Sequence, residues 1–151
     1  MGAYEDLFAR ARAAGLKTTV HTGETAGTGA EGHRGGGPPA GPTGSATGSG
    51  AAYDESAMRL LREQDVVLEL CPTSNLHTQA VSGVEELRHI IQTFLDRGVK
   101  FTLNTDGPYL LDTDMEHEVA LVEQHAIMTP AQVERSLAWA REYSLHPLRP
   151  C

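Results

Sequence analysis

Hydrophobic residues along the chain switch repeatedly between helical spacing and short continuous runs. Helical spacing predicts a first helix over about Tyr4–Ala14 and a second where Ala57, Leu60 and Leu61 recur. Three short, mostly apolar runs are typical of parallel strands that helices cover on both faces. The predicted strands are Leu16–His21, Val66–Leu70 and Val99–Leu103. The repeated order of strand and helix indicates an α/β fold with a parallel sheet.

Capping signals predict where three later helices begin. A polar residue followed three positions later by Glu or Gln can satisfy the free N–H groups of a helix start, and proline favours the first helical position. The predicted starts are Ser82 with Glu85, Thr113 with Glu116, and Thr129-Pro130-Ala131-Gln132. Gly98 is predicted to end the first of these helices, because glycine adopts the left-handed conformation found there.

Residues 28–50 interrupt the alternation of strands and helices. The second half of this stretch consists almost entirely of Gly, Pro, Ser, Thr and Ala, which cannot bury apolar surface, and a disordered linker is therefore predicted. His33 is predicted to be a solvated side chain within it. The expected organisation has four parts, which are a helix and strand over 1–27, the linker over 28–50, further β/α units over 51–145, and a tail over 146–151.

Length, charge and cysteine content exclude several classes of protein. The chain has 151 residues, whereas a complete (β/α)8 barrel typically needs about 250. A net charge of −8, with no basic stripe, argues against nucleic-acid binding. No apolar run approaches the ~18 residues of a membrane span, and the first residues do not resemble a signal peptide. With only Cys71, in an apolar run, and Cys151, we expect a buried thiol at Cys71 and a soluble cytoplasmic protein.

Two motifs at predicted strand ends carry candidate chemistry. His21-Thr22-Gly23-Glu24 sets an imidazole and a carboxylate after the first strand, and Leu103-Asn104-Thr105-Asp106-Gly107-Pro108 adds a second carboxylate. Imidazole and carboxylate are zinc ligands, and Glu24 could transfer a proton beside a metal site. A catalytic zinc normally takes three protein ligands, and these motifs offer two. Taken singly, each motif is also an ordinary turn signal.

The order of three segments adds to this interpretation. The segments His21–Glu24, Leu70–Thr78 and Leu103–Pro108 together resemble the adenosine deaminase family, in the C-terminal half of its barrel. The resemblance implies a partial TIM (β/α)8 barrel and hydrolytic, zinc-dependent deamination of adenosine or a related adenine compound, with release of ammonia. A small purine would be the substrate.

The same resemblance implies roles for individual residues. His21 and Asp106 would be zinc ligands, and Glu24 would donate a proton to a purine ring nitrogen. Ser74 and Asn75 would be structural groups near the mouth of the site. Gly107 stands where the family has a second aspartate that holds the purine.

The chain also departs from the family pattern. It lacks the His-x-His pair that supplies two further zinc ligands, and the linker replaces an Arg-Ile-Gly-His-Gly strand. If the codons for Ala40–Gly50 are read from each third base, they can encode Arg-Pro-Asp-Arg-Ile-Gly-His-Gly-Ile-Arg. One hypothesis is therefore that this stretch is a frame-shifted reading of the missing strand. The alternative to an enzyme is an inactive, truncated or frame-shifted relative. Such a protein could self-associate or pair with an N-terminal half-barrel through exposed strand edges.

Overall fold

A computed structural model describes residues 2–21, 43–46 and 49–144. The strands are β1 Thr18–His21, β2 Thr43–Ala46, β3 Val67–Leu70 and β4 Phe101–Leu103. The α-helices are α1 Gly2–Ala13, α2 Glu55–Glu63, α3 Pro72–His77, α4 Val84–Arg97, α5 Pro108–Leu111, α6 Met115–Gln124 and α7 Pro130–Tyr143, and a 3-10 helix covers Ser49–Tyr53. Within the described part of the chain, no helix has both the length and the apolar character needed to cross a membrane.

The four strands form one parallel sheet in the order β1-β2-β3-β4. The predicted α/β fold with a parallel sheet is therefore confirmed, and the three predicted strands are present in slightly shorter form. Strand β2 differs from expectation, because it lies inside the stretch predicted to be a disordered linker. Its pairing with β1 on one side and β3 on the other supplies backbone hydrogen bonds that a sequence pattern of small residues does not reveal.

The hydrophobic core lies between β3, β4 and the helices that follow them. Helix α4 presents one apolar face to the sheet, as its spacing predicts, and α7 packs against β4. Among the described residues, the largest fully buried apolar side chains are Phe94, Phe101, Leu68, Ile90, Ile91, Leu103, Ile127, Val81, Val99 and Val122. The rings of Phe94 and Phe101 lie 6.3 Å apart between centroids, and Trp139 lies 6.1 Å from Phe101. Cys71 is buried, as predicted.

The last helix begins as its sequence predicts. Thr129 is the N-cap of α7, its hydroxyl accepts a hydrogen bond from the Gln132 N–H, and the Gln132 side chain accepts one from the Thr129 N–H. Pro130 occupies the first helical position. Gly98 likewise ends α4 in the left-handed conformation, with φ of 66°.

The starts of α4 and α6 are each displaced by one residue from the prediction. Gly83 is the N-cap of α4, and Glu86 rather than Glu85 accepts hydrogen bonds of 2.6 Å from the N–H and the hydroxyl of Ser82. Asp114 is the N-cap of α6 and accepts a hydrogen bond from the His117 N–H.

The predicted pairs Ser82 with Glu85 and Thr113 with Glu116 are therefore wrong. At Thr113 the hydroxyl donates to Glu118, five residues further along the chain, and Glu116 is not its partner.

A polar cluster joins the loops at the amino ends of β3 and β4. Lys100 donates a 2.7 Å hydrogen bond to Asp65 Oδ1 and a second to the Tyr143 hydroxyl, which in turn donates to Asp65 Oδ2 at 2.6 Å. The hydrogen bond from Lys100 and then that from Tyr143 lower the pKa of Asp65 below its ordinary 3.8. The hydrogen bond to Asp65 raises the pKa of Lys100. The cluster ties the C-terminal helix to the sheet.

The cluster should contribute stability that depends on pH. Because the pKa of Asp65 is lowered in the folded chain, its contribution is present above 3.8 and is lost as the pH falls through the folded pKa. Urea unfolding of the wild type and Asp65→Asn between pH 7 and pH 3 should show a difference that shrinks below pH 3.8. Asparagine tolerates the positive φ of 53° at this position. The exposed Asp96→Asn serves as control, and a difference between wild type and Asp65→Asn that does not change with pH would contradict the assignment.

Candidate active site

The carboxyl ends of all four strands share one edge of the sheet, because the strands are parallel. His21 is the last residue of β1, helix α3 follows β3 directly, and Asp106 lies three residues beyond the end of β4. The end of β1, helix α3 and the loop that holds Asp106 therefore lie at this edge. Functional groups of α/β proteins collect at this edge.

Asp106 is joined to α3 by a hydrogen bond. The hydroxyl of Ser74, itself 4% exposed, donates to Asp106 Oδ2 at 2.9 Å, whereas the Asp106 side chain is exposed. One carboxylate oxygen is thus held by a buried donor while the group remains open to solvent. Such an arrangement orients a carboxylate for a ligand or an ion.

The loop that carries Asp106 leaves β4 in a defined direction. The Asn104 N–H donates to the Leu70 carbonyl at 2.8 Å, which extends the pairing with β3 one residue beyond the strand. The Asn104 side-chain amide also donates to the Thr102 hydroxyl at 2.7 Å. These bonds fix the path of the chain just before Asp106.

Helix α3 was not predicted, although it supplies Ser74. Its sequence signal was Pro72 at the first helical position, but the N-cap Cys71 makes no side-chain cap hydrogen bond. Asn75 is buried, and its Oδ1 has no hydrogen-bond donor among the described residues. A buried acceptor in that state costs about 1–3 kcal/mol unless a donor reaches it. Ser74 contacts the candidate residue Asp106, and Asn75 follows it on the same helix. The structural role that the resemblance implies for both residues stays a prediction.

Glu118 is a buried carboxylate that sequence reasoning missed. It is 1% exposed, its Oε2 accepts from the Thr73 N–H at 3.0 Å, and its Oε1 accepts from the Thr113 hydroxyl at 3.0 Å. The sequence signal that could have revealed its burial is its spacing from another buried residue of the same helix. Glu118 lies four residues before the buried Val122, and hence on the same face of α6.

The structure locates the predicted site residues to different degrees. Asp106 and Gly107 lie in the described loop after β4, and Gly107 is the N-cap of α5. The backbone of His21 is described but its side chain is not, and Glu24 lies outside the described residues, as does His33. The juxtaposition of Glu24 with the other residues therefore stays a prediction.

The donors present match zinc in chemistry but fall short in number. His21 and Asp106 offer an imidazole and a carboxylate, whereas no group of three or more His, Cys, Asp or Glu residues in the described ranges is placed to hold a metal ion. Three strand spacings of about 4.8 Å separate β1 from β4 by roughly 14 Å along the sheet. The two side chains could share an ion only above a strongly curved sheet. The described residues alone do not form a complete zinc site.

A parallel α/β unit with a held carboxylate at the carboxyl ends of its strands has the arrangement of an α/β enzyme. Comparison with known proteins specifies the family. A family profile described as Adenosine deaminase matches residues 1–147, so the chain belongs to the adenosine deaminase family.

Curated relatives agree with this assignment. The chain is 38% identical over 130 residues to the adenosine deaminase of Shewanella denitrificans and 37% identical over 130 residues to that of Shewanella loihica. It is 35% identical over 144 residues to the adenosine deaminase of Serratia proteamaculans. These matches cover 86% or 87% of this chain but only 38% or 39% of the relatives, so the chain spans less than two fifths of their length.

Proposed function

We propose that this chain forms part of the active site of a zinc-dependent deaminase that acts on adenosine or a related adenine compound and releases ammonia. The observation that carries the proposal is the Ser74–Asp106 hydrogen bond, at the sheet edge that also holds the end of β1. Its sheet would be four neighbouring strands of a (β/α)8 barrel. Family membership and the three curated adenosine deaminases support this reading.

Each candidate residue has a distinct role in the proposal. His21 and Asp106 would supply two zinc ligands, with the remaining ligands coming from chain segments that complete the barrel. Zinc, when bound, would activate water for attack on the amino-bearing carbon. Glu24 would hold a proton for a nitrogen of the purine ring, and Ser74 would keep Asp106 oriented through the 2.9 Å hydrogen bond.

The first experiment measures ammonia release from adenosine, deoxyadenosine and adenine in the presence of zinc. The full chain is assayed alone and together with the portion of the Shewanella denitrificans adenosine deaminase that the match leaves out. We expect ammonia release and bound zinc from the combination. A stable complex of the two parts that binds no zinc and releases no ammonia would overturn the proposal.

A second candidate is an inactive relative whose coding sequence is frame-shifted through residues 40–50. The observation that motivates this candidate is the place of β2, which lies parallel between β1 and β3 where the resemblance expects the Arg-Ile-Gly-His-Gly strand. Resequencing the coding DNA tests the idea, since codons unable to encode the shifted decapeptide would remove it. If the shifted codons are present, a version with the frame restored should regain activity that the present chain lacks.

Gly107 offers a separate prediction about substrate binding. Among the described residues, a Cβ added at this position would meet only Leu110 Cβ, at the ordinary contact distance of 3.8 Å. An aspartate therefore fits without strain, and a charge-assisted hydrogen bond to the purine is worth about 1.5–3 kcal/mol. We expect Gly107→Asp to raise kcat/KM for adenosine at least about tenfold in the zinc-loaded combination. Gly107→Ala is the control, and an equal gain in both variants would contradict a role for the carboxylate.

A further inference from the structure

Glu118 connects the two segments that bring Ser74 and Asp106 together. One of its oxygens accepts from the N–H of Thr73, the residue before Ser74. The other accepts from Thr113, at the end of the segment that follows Asp106. The Thr113 N–H also donates to the Pro108 carbonyl at 3.1 Å. The turn that follows Asp106 is thus bonded to Thr113 as well. A single buried side chain thereby links both sides of the Ser74–Asp106 hydrogen bond.

The contact with Thr73 replaces a cap that α3 lacks. The first N–H groups of a helix have no partner within the helix, and the N-cap Cys71 makes no side-chain cap hydrogen bond. Glu118, on α6, accepts from one of these N–H groups, at the second helical position. The start of α3, and with it the direction of Ser74, therefore depends on a residue from a different helix.

Burial limits what could replace the hydrogen bond between Thr73 and Glu118. Glu118 is 1% exposed, Thr113 is 7% exposed and Ser74 is 4% exposed. Water therefore has little access to the Glu118 carboxylate, and the N–H of the partly buried Thr73 would lose a buried acceptor. Removal of the Glu118 oxygens should move the first turn of α3 until Thr73 finds another acceptor.

We infer that Glu118 is a positioning residue for Asp106, which acts through Thr73 and Ser74 and does not touch the substrate. The expected effect on catalysis rests on the proposed function. The expected effect on the orientation of Asp106 does not depend on it. Glu118 sets the start of α3, α3 sets the Ser74 hydroxyl, and that hydroxyl holds one oxygen of Asp106. The orientation of the exposed carboxylate is thus determined by a buried one.

The test observes the Asp106 side-chain carboxylate directly, by NMR of the full chain. Aspartate labelled with ¹³C at its side-chain carboxyl is incorporated, and the Asp106 resonance is assigned by its loss in Asp106→Asn. Ser74→Ala should displace this resonance because it removes the hydrogen bond to Oδ2. Glu118→Met, similar in volume but without acceptors, should displace it by at least half as much, and the double variant should show no displacement beyond that of Ser74→Ala.

Two further variants separate positioning from a general loss of structure. Glu118→Gln should leave the resonance near its wild-type position, because its amide oxygen can accept from Thr73 while its NH2 donates to Thr113. Glu116→Met, at an exposed position on the same helix, should leave it unchanged. If Glu118→Met does not fold, Thr113→Val replaces it, with Thr113→Ser as the variant that keeps the hydroxyl. A folded Glu118→Met or Thr113→Val chain with the wild-type resonance would overturn the inference.

The rate of ammonia release, where it is measurable, provides a second test. We expect Glu118→Met to lower kcat about tenfold with KM unchanged within a factor of two. In a Ser74→Ala background the same change should lower kcat less than threefold, because the two residues act on one hydrogen bond. Equal losses in both backgrounds would show that Glu118 acts independently of Ser74 and would contradict positioning through Ser74. The NMR result stands if the chain releases no ammonia, so failure of the proposed function and failure of the inference are distinguishable.

Discussion

Asp106→Asn is expected to lower the rate of ammonia release at least about 100-fold. Outer groups around a metal site already contribute about 10–100-fold to affinity or activity, and a ligand should contribute no less. The amide is neutral and binds zinc poorly, but its oxygen can still accept the hydrogen bond from Ser74. The fold should therefore be preserved, because Asp106 is exposed and is not one of the described core residues.

The measurement compares ammonia release and zinc content of Asp106→Asn with those of Asp96→Asn. Asp96 lies exposed on α4, away from the carboxyl ends of the strands, and its replacement removes the same charge. We expect Asp96→Asn to behave as the wild type. Activity of Asp106→Asn within threefold of the wild type would remove Asp106 from the proposed site.

Phe101→Ala is expected to lower the free energy of unfolding by about 3–5 kcal/mol. Phe101 lies on β4 with 0% exposure, between the rings of Phe94 and Trp139. Its loss opens a cavity at the contact between the sheet, α4 and α7. Because domains of this size are stable by about 5–15 kcal/mol in total, a measurable fraction of the variant should be unfolded at 25 °C.

Urea unfolding followed by circular dichroism measures this loss. Tyr109→Ala is the control, since Tyr109 is fully exposed and its removal should change stability by no more than about 0.5 kcal/mol. A loss below about 1 kcal/mol for Phe101→Ala would show that these aromatic contacts do not hold the sheet to its helices.

The sequence predicted the parts of the fold that depend on local pattern. Helices with clear apolar spacing, such as α4, and the capping box at Thr129 are present where expected. Patterns of this kind are reliable because the residues that form the signal also form the contact. The helix starts at Gly83 and Asp114 deviate by one residue, and the preceding Ser82 and Thr113 instead bond to Glu86 and Glu118 within the helices that follow them.

The parts that sequence analysis missed depend on distant partners. Strand β2 has small residues and no apolar run, and its strand conformation follows from pairing with β1 and β3. Helix α3 has its start capped from α6 by Glu118. The position of Asp106 at a strand end was predicted from its motif, whereas its hydrogen bond to Ser74 joins residues 32 positions apart and left no local signal.

The cluster of Lys100, Asp65 and Tyr143 and the Ser74–Asp106 pair lie at opposite ends of the sheet. This separation matters for directed evolution of the chain. The Lys100, Asp65 and Tyr143 cluster lies at the amino ends of β3 and β4, while Asp106 and Ser74 lie at the carboxyl ends. Substitutions at well-separated positions usually have additive effects. A library that randomises Gly107 and the exposed Tyr109 and Leu110 can therefore explore new substrates, while the far end of the sheet keeps each member folded.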